Sequence, residues 1–144
     1  MMTDYFKPVP FDLFKCDKKA FGDALCRSFR ETGFAVVSGH TVDQGVIDRN
    51  LDATQAFFAL PDAEKLKYDG RQGGGQRGYT AFGTENAKGN AHADLKEFWH
   101  TGRALPEDSP YRATMADTPS VPEVPAFDEA TTALFDALDQ MGRE

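Results

Sequence analysis

The stretch GFAVVSGH, residues 33–40, decides how the rest of the sequence is organised. It is a continuous apolar run, which is typical of a strand covered on both faces, whereas a strand with one wet face alternates apolar and polar residues. We therefore predict a doubly covered strand here, with Gly39 and His40 at its exit. Such a strand needs a sheet to pair with and a layer on each side.

A helix precedes this strand, and a short strand precedes the helix. Four apolar residues recur at helical spacing: Phe21, Ala24, Leu25 and Phe29. Asp17 is placed to cap the start of the helix, and Gly33 is placed to end it in the left-handed conformation. Further upstream, VPFDLF follows Pro8 and is typical of an edge strand.

A second helix is predicted after the strand. Thr41 and Gln44 have the spacing of a capping box at its start. Its apolar stripe consists of Ile47, Leu51, Thr54 and Phe58. Pro61 interrupts the pattern, and DAEKLKY (residues 62–68) predicts a short third helix.

The second half of the chain predicts two strands and a long final helix. Residues 69–89 form a glycine-rich loop that flanks a strand at GYTAFG, and DLKEFWHTG is the next strand. Residues 104–125 contain five prolines and form an irregular connection. The amphipathic final helix covers about residues 125–144. Its stripe consists of Phe127, Leu134, Leu138 and Met141. This order of elements indicates a mixed α+β fold.

Composition and charge exclude several classes of function. The chain has 144 residues, enough for one domain with a real core, and a net charge of −7. This charge disfavours nucleic acid or an anionic membrane as partner and favours a small molecule or another protein. No apolar stretch has the length of a membrane span, so we expect a cytoplasmic protein. Cys26 falls on the apolar side of the first helix, which favours a buried free thiol over a disulfide with Cys16.

His92, Asp94 and His100 raise the question of an iron site, because His-x-Asp with a distant His is the facial triad of non-haem Fe(II) enzymes. Two residues apart on a strand, His92 and Asp94 point to one face and could share an ion. His100 is about 26 Å from His92 in an extended chain, and LKEFW has no Gly or Pro to reverse direction. We therefore predict no metal here. His40 is a conceivable third ligand that nothing else in the sequence supports.

The stretch GGGQRG, residues 73–78, formally matches the Gly-x-Gly-x-x-Gly fingerprint of dinucleotide-binding proteins. That fingerprint needs a strand before it and a helix N-terminus after it, so that backbone N–H groups can hold the pyrophosphate. Here charged residues precede it and the strand-like YTAFG follows. We predict a flexible loop and no nucleotide site.

A third group of polar residues lies around the two late strands. It consists of Arg77, Tyr79, Glu85, Asp94, Lys96 and Glu97. Charged and aromatic residues occupy both faces of the later strand, so neither face is clearly polar or apolar. This pattern indicates either ion pairs with neighbouring elements or a polar cavity that contacts a substrate.

Four segments resemble the N-terminal region of the isopenicillin N synthase-like family of Fe(II)/2-oxoglutarate-dependent oxygenases. They are GFAVVSGH, AFFALPDAEKLKY, RGYTAFGTENAKG and DLKEFWHTGR, in the order and at the spacing of that family. The resemblance implies that residues 1–144 form a non-haem dioxygenase N-terminal domain. Its helices and strands would flank and partly join a double-stranded β-helix, or jelly roll, whose core lies downstream. The final helix, about residues 125–144, would lead to it.

The resemblance also implies a function. The complete protein would bind Fe(II) and 2-oxoglutarate and oxidise a small-molecule substrate. This chain would hold no metal or cofactor, contribute no catalytic residue, and supply scaffold and part of the substrate wall, with Arg77 and Tyr79 as substrate-binding residues. His92-Ala93-Asp94 is not the triad of the family, because it comes before the later strand and does not follow it at a distance.

Two further expectations concern the chain on its own. The alternative to an oxygenase part is a stand-alone, non-catalytic interaction module with the same fold. Without the downstream jelly roll, open strand edges and uncovered apolar faces predict that the fragment self-associates. The substrate and the outcome of the reaction do not follow from the sequence.

Overall fold

The computed structural model describes residues 7–70, 76–84 and 95–144. The chain divides into two compact units, Met1–Val42 and Asp43–Glu144. Each unit contains helices and a two-stranded sheet among its described residues. The mixture of helices and short strands confirms the predicted α+β class at this level.

The first unit is a parallel strand pair with a helical crossover. Strand β1, Val9–Pro10, pairs in parallel with strand β2, Val37–Ser38. Helix α1, Phe11–Cys16, and helix α2, Lys18–Thr32, lie between them in the chain. The predicted edge strand VPFDLF is therefore a strand only in its first two residues. The backbone at Pro10 has φ −66°, which a proline ring imposes and which suits entry into a helix.

Helix α2 begins and ends where the sequence predicts. The Asp17 carboxylate accepts a hydrogen bond from the Ala20 N–H at 2.9 Å. Gly33 has φ 79°, the left-handed conformation that a residue without Cβ adopts readily. However, α2 has no buried residue. Cys26 is therefore exposed, like Cys16, and the prediction of a buried thiol is wrong.

The prediction of a doubly covered strand at residues 33–40 is also wrong for this structure. Regular pairing is limited to Val37–Ser38, in a sheet of two strands. Phe34 is 67% exposed and Val36 is 44% exposed. An apolar run indicates that a covering surface is needed, but it does not say which part of a protein provides that surface.

The second unit combines two long helices with an antiparallel strand pair. Its helices and strands are α3 (Gln44–Phe58), α4 (Asp62–Lys65), β3 (Gly78–Thr80), β4 (Phe98–His100) and α5 (Phe127–Arg143). Two 3-10 helices, Leu66–Tyr68 and Pro110–Ala113, lie in the connections. The predicted helices and both predicted strands are confirmed, although the strands are shorter than predicted.

Asp43 caps helix α3, and the predicted Thr41–Gln44 capping box is wrong. The Asp43 carboxylate accepts a hydrogen bond from the Val46 N–H at 3.2 Å. Asp43 stands directly before the first helical residue with extended backbone angles, whereas Thr41 lies two positions too early.

Phe57 lies at the centre of the core of the second unit and is fully buried. Its ring has five aromatic neighbours at centroid distances from 4.9 to 6.0 Å: Phe58, Tyr68, Tyr79, Trp99 and Phe127. Burying one large apolar side chain contributes about 1.5–3 kcal/mol. The aromatic cluster therefore fixes both late strands against α3 and α5.

Candidate functional site

Strands β3 and β4 place the polar residues of the predicted site beside the aromatic cluster. Their register sets Gly78 opposite His100 and Tyr79 opposite Trp99. Gly78 has φ +85°, and a Cβ at this position would lie 2.5 Å from the Tyr68 carbonyl oxygen. Glycine is therefore required here, because the backbone entering β3 passes directly against another backbone segment.

One carboxylate, Glu97, ties the strand pair to helix α4. Its Oε2 accepts hydrogen bonds from the Tyr79 hydroxyl at 2.5 Å and from the Lys65 ammonium at 2.8 Å. The Lys65 side chain is only 4% exposed, and the Asp62 carboxylate lies 3.1 Å from its nitrogen. A buried ammonium is tolerated when it is paired in this way. Structural ion pairing, one of the two predicted roles for this group, is thus present at Glu97.

Two groups of this cluster, Lys65 and Tyr79, have raised pKa values. The hydrogen bond to Glu97 raises the pKa of Lys65 to about 12. Burial, together with the hydrogen bond to Glu97, raises the pKa of Tyr79 to about 12. Near neutral pH, Lys65 is therefore a cation and Tyr79 a neutral phenol. Neither group is suited to proton transfer there, because an acid–base catalyst needs a pKa near the working pH.

A second phenol–carboxylate pair stands next to this cluster. The Tyr68 hydroxyl donates a hydrogen bond to Glu123 in the proline-rich connection. Burial, with the bond to Glu123, raises the pKa of Tyr68 to about 12, and the same bond holds the pKa of Glu123 below its usual value. The pair fastens the connection to the 3-10 turn before β3.

Arg77 stands immediately before β3 and is half-buried. Its Nη1 donates to the Gln76 carbonyl at 2.7 Å. Its Nε–H is buried without a hydrogen-bond partner, and among the described side chains no other buried N or O atom is in that state. A cavity of about 180 Å³ adjoins it, with Lys67, Tyr68, Asp117 and Pro119 in its walls. A buried donor without an acceptor costs about 1–3 kcal/mol, and Arg77 is thus the candidate residue for which the described side chains leave a donor unsatisfied.

A larger apolar groove lies on helices α3 and α5 beside β4. Its volume is about 370 Å³, and apolar side chains form much of its wall: Phe58, Trp99, Leu134, Phe135 and Leu138. Leu138 is 47% exposed. Glu97 also lines this groove. The carboxylate that organises the strand pair therefore borders an apolar surface.

The two candidate substrate-binding residues occupy different surroundings. Tyr79 is 2% exposed, inside the aromatic cluster, and its hydroxyl is engaged by Glu97. Arg77 borders the 180 Å³ cavity. Their assignment to substrate contact stays a prediction. His100, at the end of β4, lies with its ring 4.8 Å from that of Phe98.

Several candidate residues lie outside the described part of the chain, namely Glu85, His92, Asp94 and the first three glycines of GGGQRG. Within residues 7–70, 76–84 and 95–144, no His, Cys, Asp and Glu side chains form a group that could hold a metal ion. In the same ranges, no helix combines the length and apolarity needed to cross a bilayer. The cytoplasmic location stays a prediction.

Two residues of the site are missing from the sequence-based prediction, Lys65 and Gly102. Lys65 belongs to a charged helical segment, in which a lysine is ordinarily solvated. A Cβ on Gly102 would lie 1.8 Å from the Arg77 Nε, so this glycine borders the candidate residue directly. Only the mixed faces of the later strand hinted at a buried charge, and no local pattern marks Gly102.

Comparisons with known proteins decide the family. Residues 9–124 match the family described as non-haem dioxygenase in morphine synthesis, N-terminal. The chain belongs to this family. The resemblance seen in the sequence is thereby confirmed, and we refer to the chain as a dioxygenase N-terminal domain.

Curated relatives of this dioxygenase N-terminal domain are oxidising enzymes. A homoarginine-6-hydroxylase from Arabidopsis thaliana is 34% identical over 103 residues, which are 62% of this chain and 31% of that protein. A 2-oxoglutarate-Fe(II) type oxidoreductase from Emericella nidulans is 26% identical over 78% of this chain and 34% of its own length. The chain thus spans about a third of the curated relatives it matches.

Solved structures agree with the fold. A 2OG-Fe(II) oxygenase family protein from Caulobacter crescentus is 47% identical with a TM-score of 0.82, covering 97% of this chain and 46% of that chain. A full-length Neurospora crassa protein in complex with alpha-KG shares the fold at 21% identity and a TM-score of 0.69, over 99% of this chain and 46% of its own. The dioxygenase N-terminal domain accounts for less than half of either chain.

Proposed function

We propose that the chain is the N-terminal part of an oxygenase that uses Fe(II) and 2-oxoglutarate to oxidise a small molecule. Membership of the family and the names of the relatives support this proposal. A downstream jelly roll, reached through α5, would hold both cofactors. The dioxygenase N-terminal domain, residues 1–144, would provide scaffold and part of the substrate wall.

Arg77 carries the proposal for the substrate wall. It combines a fixed position before β3, an adjoining cavity and a buried Nε–H without a described partner. The guanidinium has further N–H donors besides Nε–H, and its planar fork suits a carboxylate or another planar anion. We therefore assign an acidic group to the substrate. Tyr79, whose ring is packed in the aromatic cluster, would support the substrate wall by holding β3 in place through its hydrogen bond to Glu97.

Turnover of 2-oxoglutarate by the full-length protein tests this role. Homoarginine, the substrate named for the Arabidopsis relative, heads a panel of small carboxylic acids. Arg77→Ala should raise KM for an acidic substrate about 10- to 100-fold, because a hydrogen bond to a charged group contributes about 1.5–3 kcal/mol. Uncoupled turnover, the consumption of 2-oxoglutarate without oxidation of the substrate, should stay the same. The proposed contact of Arg77 is with the substrate and not with 2-oxoglutarate.

Arg30→Ala is the matched control, because it removes an exposed arginine from α2. This variant should leave both KM and uncoupled turnover unchanged. An unchanged KM in Arg77→Ala would contradict the substrate contact. A full-length protein that binds neither Fe(II) nor 2-oxoglutarate would instead favour the non-catalytic interaction module.

The same proposal assigns the downstream jelly roll as the partner of the uncovered apolar surface. Large apolar side chains are exposed in this chain, among them Phe34, Leu51, Phe82 and Leu138. Exposed apolar surface favours association, so residues 1–144 alone should dimerise or aggregate, whereas the full-length protein should not. Light scattering with thermal unfolding of both proteins measures the difference. A monomeric fragment that unfolds cooperatively near the full-length transition temperature would contradict this assignment.

A further inference from the structure

The backbone of Gly102 forms a seat for the guanidinium of Arg77. A Cβ added to Gly102 would lie 1.8 Å from Nε of Arg77 and 1.9 Å from Cζ. Both atoms belong to the planar head of the arginine, which therefore occupies the space that a side chain at position 102 would need. Gly102 lies two residues beyond the end of β4. Arg77 lies directly before β3, the strand that pairs with β4.

The seat and the arginine are each fixed by contacts that do not involve the other. The Gly102 N–H donates to the Thr118 Oγ1 at 3.0 Å, which ties the seat to the proline-rich connection. Gly78, with φ +85°, holds the backbone directly after Arg77 against the carbonyl of Tyr68. The surface on which the guanidinium rests and the backbone from which it projects are thus both set by the fold.

We propose that Gly102 is a positioning residue that holds the Arg77 guanidinium in one orientation for an anionic group of the substrate. A side chain already confined to one orientation loses less conformational entropy when it binds a ligand. The planar fork of an arginine makes that orientation matter, because a carboxylate pairs with it in the plane. The inference rests on the proposed substrate contact of Arg77.

Gly102→Ala separates positioning from stability. The atoms in the way are the far end of a long flexible side chain, so the arginine should move while the backbone stays in place. The transition temperature of the full-length protein should then change by no more than about 4 °C. A purely structural glycine would give a large loss of stability with Arg77 unmoved.

The exchange of arginine Nε–H protons with water reports the position of Arg77. In the full-length protein labelled with ¹⁵N-arginine, the Arg77 signal is identified by its loss in Arg77→Ala. Its buried Nε–H should exchange at least about tenfold more slowly than that of exposed Arg30. Gly102→Ala should bring the Arg77 rate to that of Arg30. Gly22→Ala, where an added Cβ meets nothing within 4 Å, is the control and should leave the rate unchanged.

Two results would contradict the proposed role of Gly102. One is an Nε–H exchange rate of Arg77 that Gly102→Ala leaves unchanged. The other is an Arg77 exchange rate equal to that of Arg30 in the unsubstituted protein. KM for homoarginine separates the seat from the proposed function. Gly102→Ala should raise KM and should add nothing to Arg77→Ala in the double variant. Arg77→Ala could leave KM unchanged while Gly102→Ala still speeds the Nε–H exchange of Arg77. That combination would contradict the substrate contact but support the positioning of Arg77 by Gly102.

Discussion

Helices α2 and α5 are both amphipathic and have similar lengths of 15 and 17 residues, yet only α5 contains buried residues. Helix α5 buries Phe127, Ala130 and Thr131, whereas α2 has no buried residue. The contrast is sharpest between two phenylalanines: Phe127 is 1% exposed and Phe29 is 56% exposed. Apolar periodicity marks a helix in both places, but it does not determine what covers the apolar face.

The difference separates a core that is closed within its own unit from a helix whose apolar face stays partly exposed. The aromatic cluster around Phe57 is closed by elements of the second unit alone. In the apolar stripe of α2, Phe21 packs against Phe11 and Phe14, but Phe29 stays exposed. Because the chain spans less than half of the solved Caulobacter relative, we attribute the missing cover to the rest of the proposed oxygenase.

The largest expected effect is the loss of Phe57. Phe57→Ala in the chain of residues 1–144 should lower the free energy of unfolding by about 3–5 kcal/mol, because it leaves a cavity among five packed rings. Phe29→Ala is the matched substitution in α2 and should cost less than about 0.5 kcal/mol there. Urea unfolding of the two variants measures both values.

The same pair of substitutions in the full-length protein sharpens the comparison. If downstream protein covers α2, Phe29→Ala should cost about 2 kcal/mol or more in the full-length protein while the cost of Phe57→Ala stays the same. Equal costs for the two substitutions in the isolated chain would break the distinction between a closed core and an uncovered helix. Phe29→Ala could instead cost less than about 0.5 kcal/mol in both proteins. That result would contradict the proposal that downstream protein covers α2.

Local signals in the sequence were sufficient for much of the fold. Asp17 and Gly33 mark the ends of α2 because caps act within one turn, and the spacing of apolar residues marks α3 and α5. Thr41 failed as a cap because Asp43, closer to the helix, competes for the same N–H groups. The cover of residues 33–40 could not be predicted, since an apolar run does not say which segment packs on it.

One part of the candidate site could be predicted from the sequence and another part could not. The segment around Arg77 and Tyr79 was recognisable because glycines, a cation and a phenol stand together beside a strand. The Lys65–Glu97 ion pair joins residues 32 positions apart, and the contact of Gly102 with Arg77 also crosses between strands. Neither leaves a local pattern, because such contacts exist only once the strands have paired. The polar side chains of DAEKLKY look alike in sequence, although one of them, Lys65, is buried.

Ion pairs provide the second way to test the comparison, with a smaller expected effect. In α2, Lys19 and Asp23 form an ion pair at 2.6 Å with side chains 85% and 61% exposed. In the second unit, Lys65 and Glu97 form a pair at 2.8 Å with side chains 4% and 16% exposed. Exposed pairs contribute about 0–1 kcal/mol, because water screens them. Removing one partner of a buried pair leaves an uncompensated charge and costs about 3–5 kcal/mol.

Glu97→Gln should therefore destabilise the chain by about 2–3 kcal/mol, somewhat less than a fully buried pair, because Asp62 remains beside Lys65. Asp23→Asn in α2 is the matched control and should cost less than about 0.5 kcal/mol. Urea unfolding at neutral pH measures both. Similar losses of stability in the two variants would contradict this prediction. They would mean that water screens the Lys65–Glu97 pair as well as it screens a surface pair, despite the burial of Lys65.

The dependence of stability on pH follows from the same cluster. The folded-state pKa of Lys65 is raised from 10.5 to about 12 by its hydrogen bond to Glu97, and that of Tyr79 from 10.0 to about 12, mainly by burial. Folding thus favours the protonated form of both groups, so their contribution is fully present below about pH 10 and is lost as pH rises through 12. Stability should fall across this window in the unmodified chain. Glu97→Gln should flatten the fall, because it removes the main cause of the Lys65 shift, but part of the fall should persist because Tyr79 stays buried. Asp23→Asn should leave most of the alkaline fall unchanged, because the Lys19–Asp23 pair is exposed and screened by water.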